Sequence, residues 1–411
     1  MSDWLLPGVA PAKRPTARAA SIPIAIICAF AAAPTLATNI FLPSLPGMAH
    51  ALDVSSAAVT SAITVYLAIL AIGQLIVGPL SDRFGRRPVN LIGLGIFIAG
   101  TIWCALAGDL SGLLIGRSIQ AAGACAASAL SRAVARDLFD GQMLAKVMAW
   151  ITIATAAALG FSPLLGGMLD HFFGWRSAFV IVAVFAIAAA AAYAAFVGET
   201  NRSARTSINP RVIARCYLDL IRDVRFLGPA RTSALLMVGL FAILSGAPRV
   251  LLEGFGLSPI TLGWLFAGVV FVVFGGGWLA SMLSARCGLF RATMVGLGLT
   301  SMGGVTLLVA VLGAQDSFPL FLVTAAIFLL GLGIASPLSS AAALSPFGSR
   351  AGMAASLLGF AQMAGAAAGT SLAAAGSSDP ALGLGIVLAL APPLALMLFG
   401  LDGPREPRRQ A

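Results

Sequence analysis

Residues 113–130 read LLIGRSIQAAGACAASAL, an apolar run long enough to cross a bilayer, with one guanidinium, Arg117, inside it. An arginine near the middle of a membrane helix costs at least ~2.5 kcal/mol on insertion scales, so it needs water, a partner or a ligand. Other apolar runs carry candidate company: Asn39 in the first, Tyr66 and Gln74 in the second, and Gln120 one turn past Arg117. Leaving such groups in lipid is costly, so they are expected to turn inward and line a central cavity with Arg117. Gln362, in GFAQMAGAAAG, is the polar group of a later run with the same option. An uncompensated cation in a low-dielectric cavity favours an anionic ligand; donation to backbone carbonyls and Gln or Ser side chains, bracing the helix, is the other reading of Arg117.

A second group is GPLSDRFGRRPV, residues 78–89. Gly78 and Gly85 allow close backbone approach and a sharp turn, and Asp82 can accept hydrogen bonds from a helix N-terminus or from arginines. With Arg83, Arg86 and Arg87 beside it, and Asp137 further on, the cluster reads as a latch between two moving halves. The plainer account of the three arginines is that they only set topology. A third group is GFSPLLGG at residues 160–167, where Ser162, Pro163, Gly166 and Gly167 would let a helix bend and pack tightly against a helix of the other half, as a gate or as packing alone.

These residues need elements to hold them, and composition decides what the elements are. The chain of 411 residues is 59% hydrophobic and only 10% charged, with a mean hydropathy of +0.98, far too apolar to coat a soluble globule. Twelve runs meet the requirement of ~20 residues for a membrane helix. They lie near 21–45, 56–80, 88–107, 111–135, 143–169, 177–197, 231–251, 260–283, 292–313, 318–341, 352–375 and 381–401. The first follows Lys13, Arg14 and Arg18 like a signal peptide, but it is too long for one and is expected to be retained. With the N-terminus inside, 22 of the 25 Lys and Arg fall on the cytoplasmic side, which places both termini there. The net charge of +10 therefore reflects topology and not nucleic-acid binding, because the basic residues sit between apolar runs. Five scattered cysteines argue for packing and against disulfides or zinc, and neither a metal nor a cofactor is implied.

The chain also repeats. LSDRFG at 80–85 recurs as LSARCG at 283–288, each after the second run of a set of six. The expected fold class is an all-α membrane protein of two six-helix halves: a tail 1–20, a bundle 21–198, a cytoplasmic linker 199–230, a bundle 231–401 and a tail 402–411. The ligand path is expected between the halves near the midplane. Within the linker, NPRVIARCYLDLIRDVRFL has apolar residues at helical spacing with arginines between them, which predicts an amphipathic helix, either on the inner membrane surface or as a solvated linker without a functional role.

At this point the motifs carry a resemblance. GPLSDRFGRRPV resembles the loop signature of the major facilitator superfamily, in its expected place between the second and third helices. GFSPLLGG resembles the antiporter signature of proton-coupled drug exporters, with Ser162 where a glycine is usual. FLPSLP at 41–46, ARDLF at 135–139 and SPFGSRAGMAASLLGFAQ at 345–362 are similar to the branch that exports bicyclomycin and chloramphenicol. The resemblance implies a secondary transporter of the bacterial inner membrane that exports small organic molecules by alternating access, as a monomer, with protons as the candidate coupling ion. It also assigns Arg117 to the arginine associated with proton coupling. Relatives in the branch carry an acid in the first span where this chain has Asn39, and none of its fifteen Asp and Glu lies well inside a span. A facilitator or weakly coupled exporter of anionic or zwitterionic compounds using Arg117 is therefore the alternative. An intramembrane enzyme is opposed: His50 and His171 lie near span ends, and neither HExxH nor GxSxG occurs. A non-transporting receptor finds no extra domain to support it.

Overall fold

The computed structural model describes residues 17–201, 210–313, 317–375 and 379–403. Lys13, Arg14, Arg202, Arg205 and the arginines of the last residues, all used in the topology argument, lie outside them. Among the described residues there is no strand. The helices are α1 (Ala17–Asn39), the short α2 (Leu45–Ala51), α3 (Ser56–Phe84), α4 (Arg86–Leu106), α5 (Leu110–Leu138), α6 (Gly141–Phe173) and α7 (Arg176–Phe196). After the linker helix α8 (Pro210–Arg222) come α9 (Val224–Pro248), α10 (Pro259–Leu312), α11 (Phe318–Leu344), α12 (Ala351–Ala375) and α13 (Pro380–Asp402).

Eleven of these segments are long and apolar enough to cross a membrane, against the twelve expected. The difference is α10. Its 54 residues would extend about 80 Å if straight, far beyond a hydrocarbon core of about 30 Å. Gly288 interrupts it with φ +82°, ψ 162°, a conformation open to glycine, and the chain turns back there into a second arm. Two arms restore twelve spanning helices. The turn is the LSARCG repeat, the counterpart of the break at Gly85 between α3 and α4.

Helix starts at one end are set by side-chain caps. Ser55 accepts from Ala58 N, Asp109 from Gly112 N, Ser258 from Thr261 N, and Asp379 from Ala381 and Leu382 N. The other end carries the arginines of the loops after α3 and α5, and is called here the basic end. α1, α3, α4, α5, α6 and α7 pack among themselves, as do α9 to α13. The two halves meet along two antiparallel pairs, α3 with α12 and α6 with the first arm of α10. In α3 and α12, Gly78 faces Ser356, Gln74 faces Gly359, and Ser371 donates to Thr64 Oγ1 at 3.3 Å. In α6 and α10 the close approaches are Gly160 to Val270, Leu164 to Gly263 and Gly167 to Pro259, all toward the end away from the arginines. Ser56 donating to Glu253 at 2.8 Å adds a polar tie across the halves at that same end.

Candidate functional site

Arg117 is completely buried on α5. Its Nη1 donates to Ala37 O at 3.0 Å and to Gln120 Oε1, and its Nε donates to Ala62 O at 3.4 Å. The guanidinium carbon lies 4.1 Å from the ring centre of Tyr66 and 4.7 Å from that of Phe41, within the range where a cation gains from an aromatic face. Gln120 passes the chain on, donating to Thr101 Oγ1 at 2.8 Å, and Thr101 donates to Phe97 O at 2.6 Å. Nη2 has no hydrogen-bond partner, and no carboxylate pairs with Arg117 among the described residues.

The open cavity expected around Arg117 is not there. Tyr66 and Gln120 are also at 0% exposure and Asn39 is at 1%. The physical reason is close packing of α1, α3 and α5 through Ala37, Ala62, Ala121 and Ala124, with Gly73 directly against Cys125. Carbonyl oxygens and π faces take the place of water. Asn39 folds its amide back onto its own helix, donating to Thr35 O at 2.7 Å, and its Oδ1 stays unpartnered. Arg117 is therefore a brace in this conformation and offers no free cation to a ligand. Gln362 is likewise engaged, donating to Ser340 on α11 at 3.2 Å.

The loop cluster is assembled as expected in its members and differently in its span. Arg86 pairs with Asp82 at 2.7 Å and with Asp137 at 3.2 Å, and also donates to Ser81. Thr200 donates to Asp137 at 3.1 Å, and Asn201 donates to Asp82 O at 3.1 Å. Arg87 reaches Ala194 O at 2.8 Å, while Arg83 lies 5.3 Å from the ring of Phe84. A residue missed in the sequence completes the group. Glu199 accepts from the backbone N–H of Arg86 at 2.8 Å and of Arg87 at 3.1 Å, capping α4 where its dipole is positive. Burial alone would raise the Glu199 pKa, but the N–H groups of Asn201, Arg86, Arg87 and Thr200 outweigh it and hold the carboxyl below its ordinary value. All these partners lie between Ser81 and Asn201, so among the described residues the cluster ties helices of one half together, and the expected latch between the halves is not seen in it.

Between the halves, a chamber of about 620 Å³ runs from Gln74 to the basic end. α3 and α5 supply Gln74, Gly78, Asp82, Arg132 and Arg136, α12 supplies Met353 and Ser356, and α8 closes one side with Val212 and Tyr217. Gln74 donates to Ser128 at 3.2 Å at its inner limit. Pro79 has no N–H, so the carbonyl of Leu75 four residues earlier lacks its helical donor. The Tyr217 hydroxyl supplies one, at 3.1 Å, and so fastens α8 to α3. Away from the basic end the halves are shut where α6, containing Pro163 and Gly167, meets α10. Gly166 instead abuts the backbone of Ile40. A second hollow of about 690 Å³, around Arg249, Glu253, Phe321 and Asp379, is walled by one half only and lies on no path between them.

A chamber with walls from both halves, closed at one end and reached from the other, is the arrangement of a carrier. The family model described as Major Facilitator Superfamily matches residues 25–370. The chain belongs to the major facilitator superfamily. Multidrug resistance protein D of Escherichia coli (strain K12) is 29% identical over 344 residues, covering 82% of this chain and 85% of that protein. A chloramphenicol resistance protein of Pseudomonas aeruginosa is 30% identical over 314 residues, 75% of this chain and 72% of the relative. The resemblance to the drug-efflux branch read from the motifs is thus met in the curated relatives. Among solved structures, the crystal structure of a D-xylose-proton symporter superposes with a TM-score of 0.72 at 16% identity, covering 94% of this chain and 98% of that one, which speaks for the fold alone.

Proposed function

We propose that this transporter exports small organic molecules, drug-like or amphiphilic, across a bacterial inner membrane by alternating access, with its basic end in the cytoplasm. The observation that carries the reading is the chamber: its walls come from both halves, its volume of about 620 Å³ suits a drug-sized ligand, and the halves are pinned together at the far end. The excess of arginines at the chamber mouth supports the orientation. Both walls come from one chain, which we take as the working unit. The names of the resistance-protein relatives support export of drug-like compounds. Counterflow of chloramphenicol in proteoliposomes tests it: exchange above protein-free liposomes is expected, and its absence together with an absence for a panel of amphiphilic dyes overturns it.

A second reading concerns energy coupling. Proton antiport needs a group that titrates within the transport path; Asn39 cannot, and the chamber's two carboxylates, Asp82 and Asp137, are held by Arg86. Arg117 has no carboxylate partner among the described residues and is charged at physiological pH. This favours weak coupling or none. The role of Arg117 as the direct ligand of an anionic substrate has no support in its closed packing. Wild type and Asn39→Asp are compared in liposomes under an imposed pH gradient. Wild-type flux indifferent to the gradient, with dependence appearing in the variant, is expected; strong dependence in wild type defeats the reading.

A further inference from the structure

We propose that Arg132 and Arg136 form an anion-binding subsite in the chamber, which holds the acidic head of an amphiphilic substrate, whether carboxylate, phosphate or sulfonate. The proposal rests on the exporter reading and names its substrate class. The two residues are one helical turn apart on α5, so their side chains share a face, and both line the chamber and are exposed within it. Neither makes a hydrogen bond, ion pair or ring contact among the described residues. Their neighbours do. Arg86 takes both carboxylates of the chamber wall, Asp82 at 2.7 Å and Asp137 at 3.2 Å, and Thr200 takes Asp137 as well. Arg132 and Arg136 are therefore the chamber's unspent charge.

Two like charges at this spacing repel, and they do so inside a concavity with apolar walls, where the field of fixed charges is concentrated. An anion relieves that repulsion, and two guanidinium forks offer it paired donors. The remaining lining fits the rest of an amphiphile: Leu130, Ala133, Val212, Ile213 and Met353 are apolar, while Ser356 offers a neutral polar group. Arg117 cannot serve, being about 22 Å further along α5 than Arg132, as fifteen residues of helix dictate, and buried.

The test is binding to the purified full chain in nanodiscs by calorimetry, with benzyl phosphate, benzyl alcohol and benzyltrimethylammonium as probes of one body and three charges. Benzyl phosphate is expected to bind about tenfold more tightly than the other two, as one charge-assisted contact pair gives. R132Q/R136Q brings the three within about twofold of one another, and R136Q alone and R132K/R136K each lose part of the preference, the lysines because they keep the charge without the paired fork donors. Discs of phosphatidylcholine and discs with added phosphatidylglycerol separate the sources of the head group. Competition by phosphatidylglycerol assigns the subsite to a lipid, and unchanged affinity assigns it to a free solute; the subsite stands in both. Equal affinity for the three probes in wild type, or an undiminished phosphate preference in folded R132Q/R136Q, overturns the proposal. Binding is read without transport, so a failure of the counterflow experiment and a failure here are distinct results.

Discussion

Gly85→Ala isolates the link between backbone geometry and the loop cluster. Gly85 sits at φ +97°, ψ 154°, a region essentially closed to L-residues, so an alanine there carries strain of about 1–3 kcal/mol. A Cβ would also stand 2.5 Å from Glu199 Oε2 and 3.0 Å from its Cδ, which drives the carboxylate off the start of α4. Glu199 is exposed, so solvent screening reduces the value of that cap to about 0.5–1 kcal/mol. The whole loss for Gly85→Ala is then about 1.5–4 kcal/mol, and that for Glu199→Gln about 0.5–1 kcal/mol. The cap can be lost only once, so the double variant should cost less than the sum by about 0.5–1 kcal/mol.

Thermal unfolding of the four proteins in detergent measures the cycle, with about 2 °C per kcal/mol expected for a chain of this length. The sign of the pH effect follows from the lowered Glu199 pKa. The stabilisation is present above the unfolded pKa, near 4.5, and is lost as pH falls through the lower folded value, so wild type converges on Glu199→Gln only below the ordinary carboxylate range. Strict additivity in the cycle, or a Gly85→Ala cost below about 1 kcal/mol, would refute the reasoning.

Arg117→Ala should destabilise by about 3 kcal/mol or more, chiefly through the cavity it leaves, whereas Arg117→Met, which loses the same donors but fills most of the volume and removes a buried charge without a carboxylate partner, should stay within about 1–2 kcal/mol of wild type. Circular dichroism melts decide this, and equal losses for both would show that the charge itself stabilises. Tyr217→Phe should cost about 1 kcal/mol by leaving Leu75 O without a donor. That cost should vanish in a Pro79→Ala background, where the substitution restores a helical backbone N–H to Leu75 O; persistence there sinks the account. Gly167→Leu should push α6 from Pro259 and raise labelling of a Ser56→Cys reporter by a membrane-impermeant maleimide, and unchanged labelling would show that this contact does not hold the far end shut.

The spanning helices were legible because length and punctuation, more than periodicity, define them. Even the break in α10 was marked, since LSARCG repeats LSDRFG and ends on the glycine that adopts positive φ. The members of the loop cluster were legible as charges beside glycines, but Glu199 was not: it is 113 residues from Arg86, and its ligands are backbone N–H groups that nearly every sequence position possesses. The same limit explains Arg117. Side-chain partners can be sought by type, whereas the carbonyls of Ala37 and Ala62 become available only through the packing of α1 and α3, so a sequence short of acids reads as a cavity. Arg132 and Arg136 count toward topology in the sequence, and nothing local separates a topogenic arginine from one that faces a chamber.

Pro79 lies between these cases, and it shows how far sequence reasoning reaches. A proline inside a spanning helix announces that the carbonyl four residues earlier, Leu75 O, must find a donor elsewhere or remain unpaired in a low-dielectric setting. The deficit is therefore written in the sequence while the donor is not, and the structure supplies it from α8, a helix that reads in the sequence as a membrane-surface anchor or a solvated linker. Because Tyr217 lies on the same chamber wall as Val212 and Ile213, the linker both closes the side of the chamber and is fastened to a helix of the N-terminal half. A change in the tilt of α3 must then be felt by α8. Tying the connection between the halves to an unsatisfied carbonyl makes it specific without a charge, which a surface already crowded with arginines would have left ambiguous.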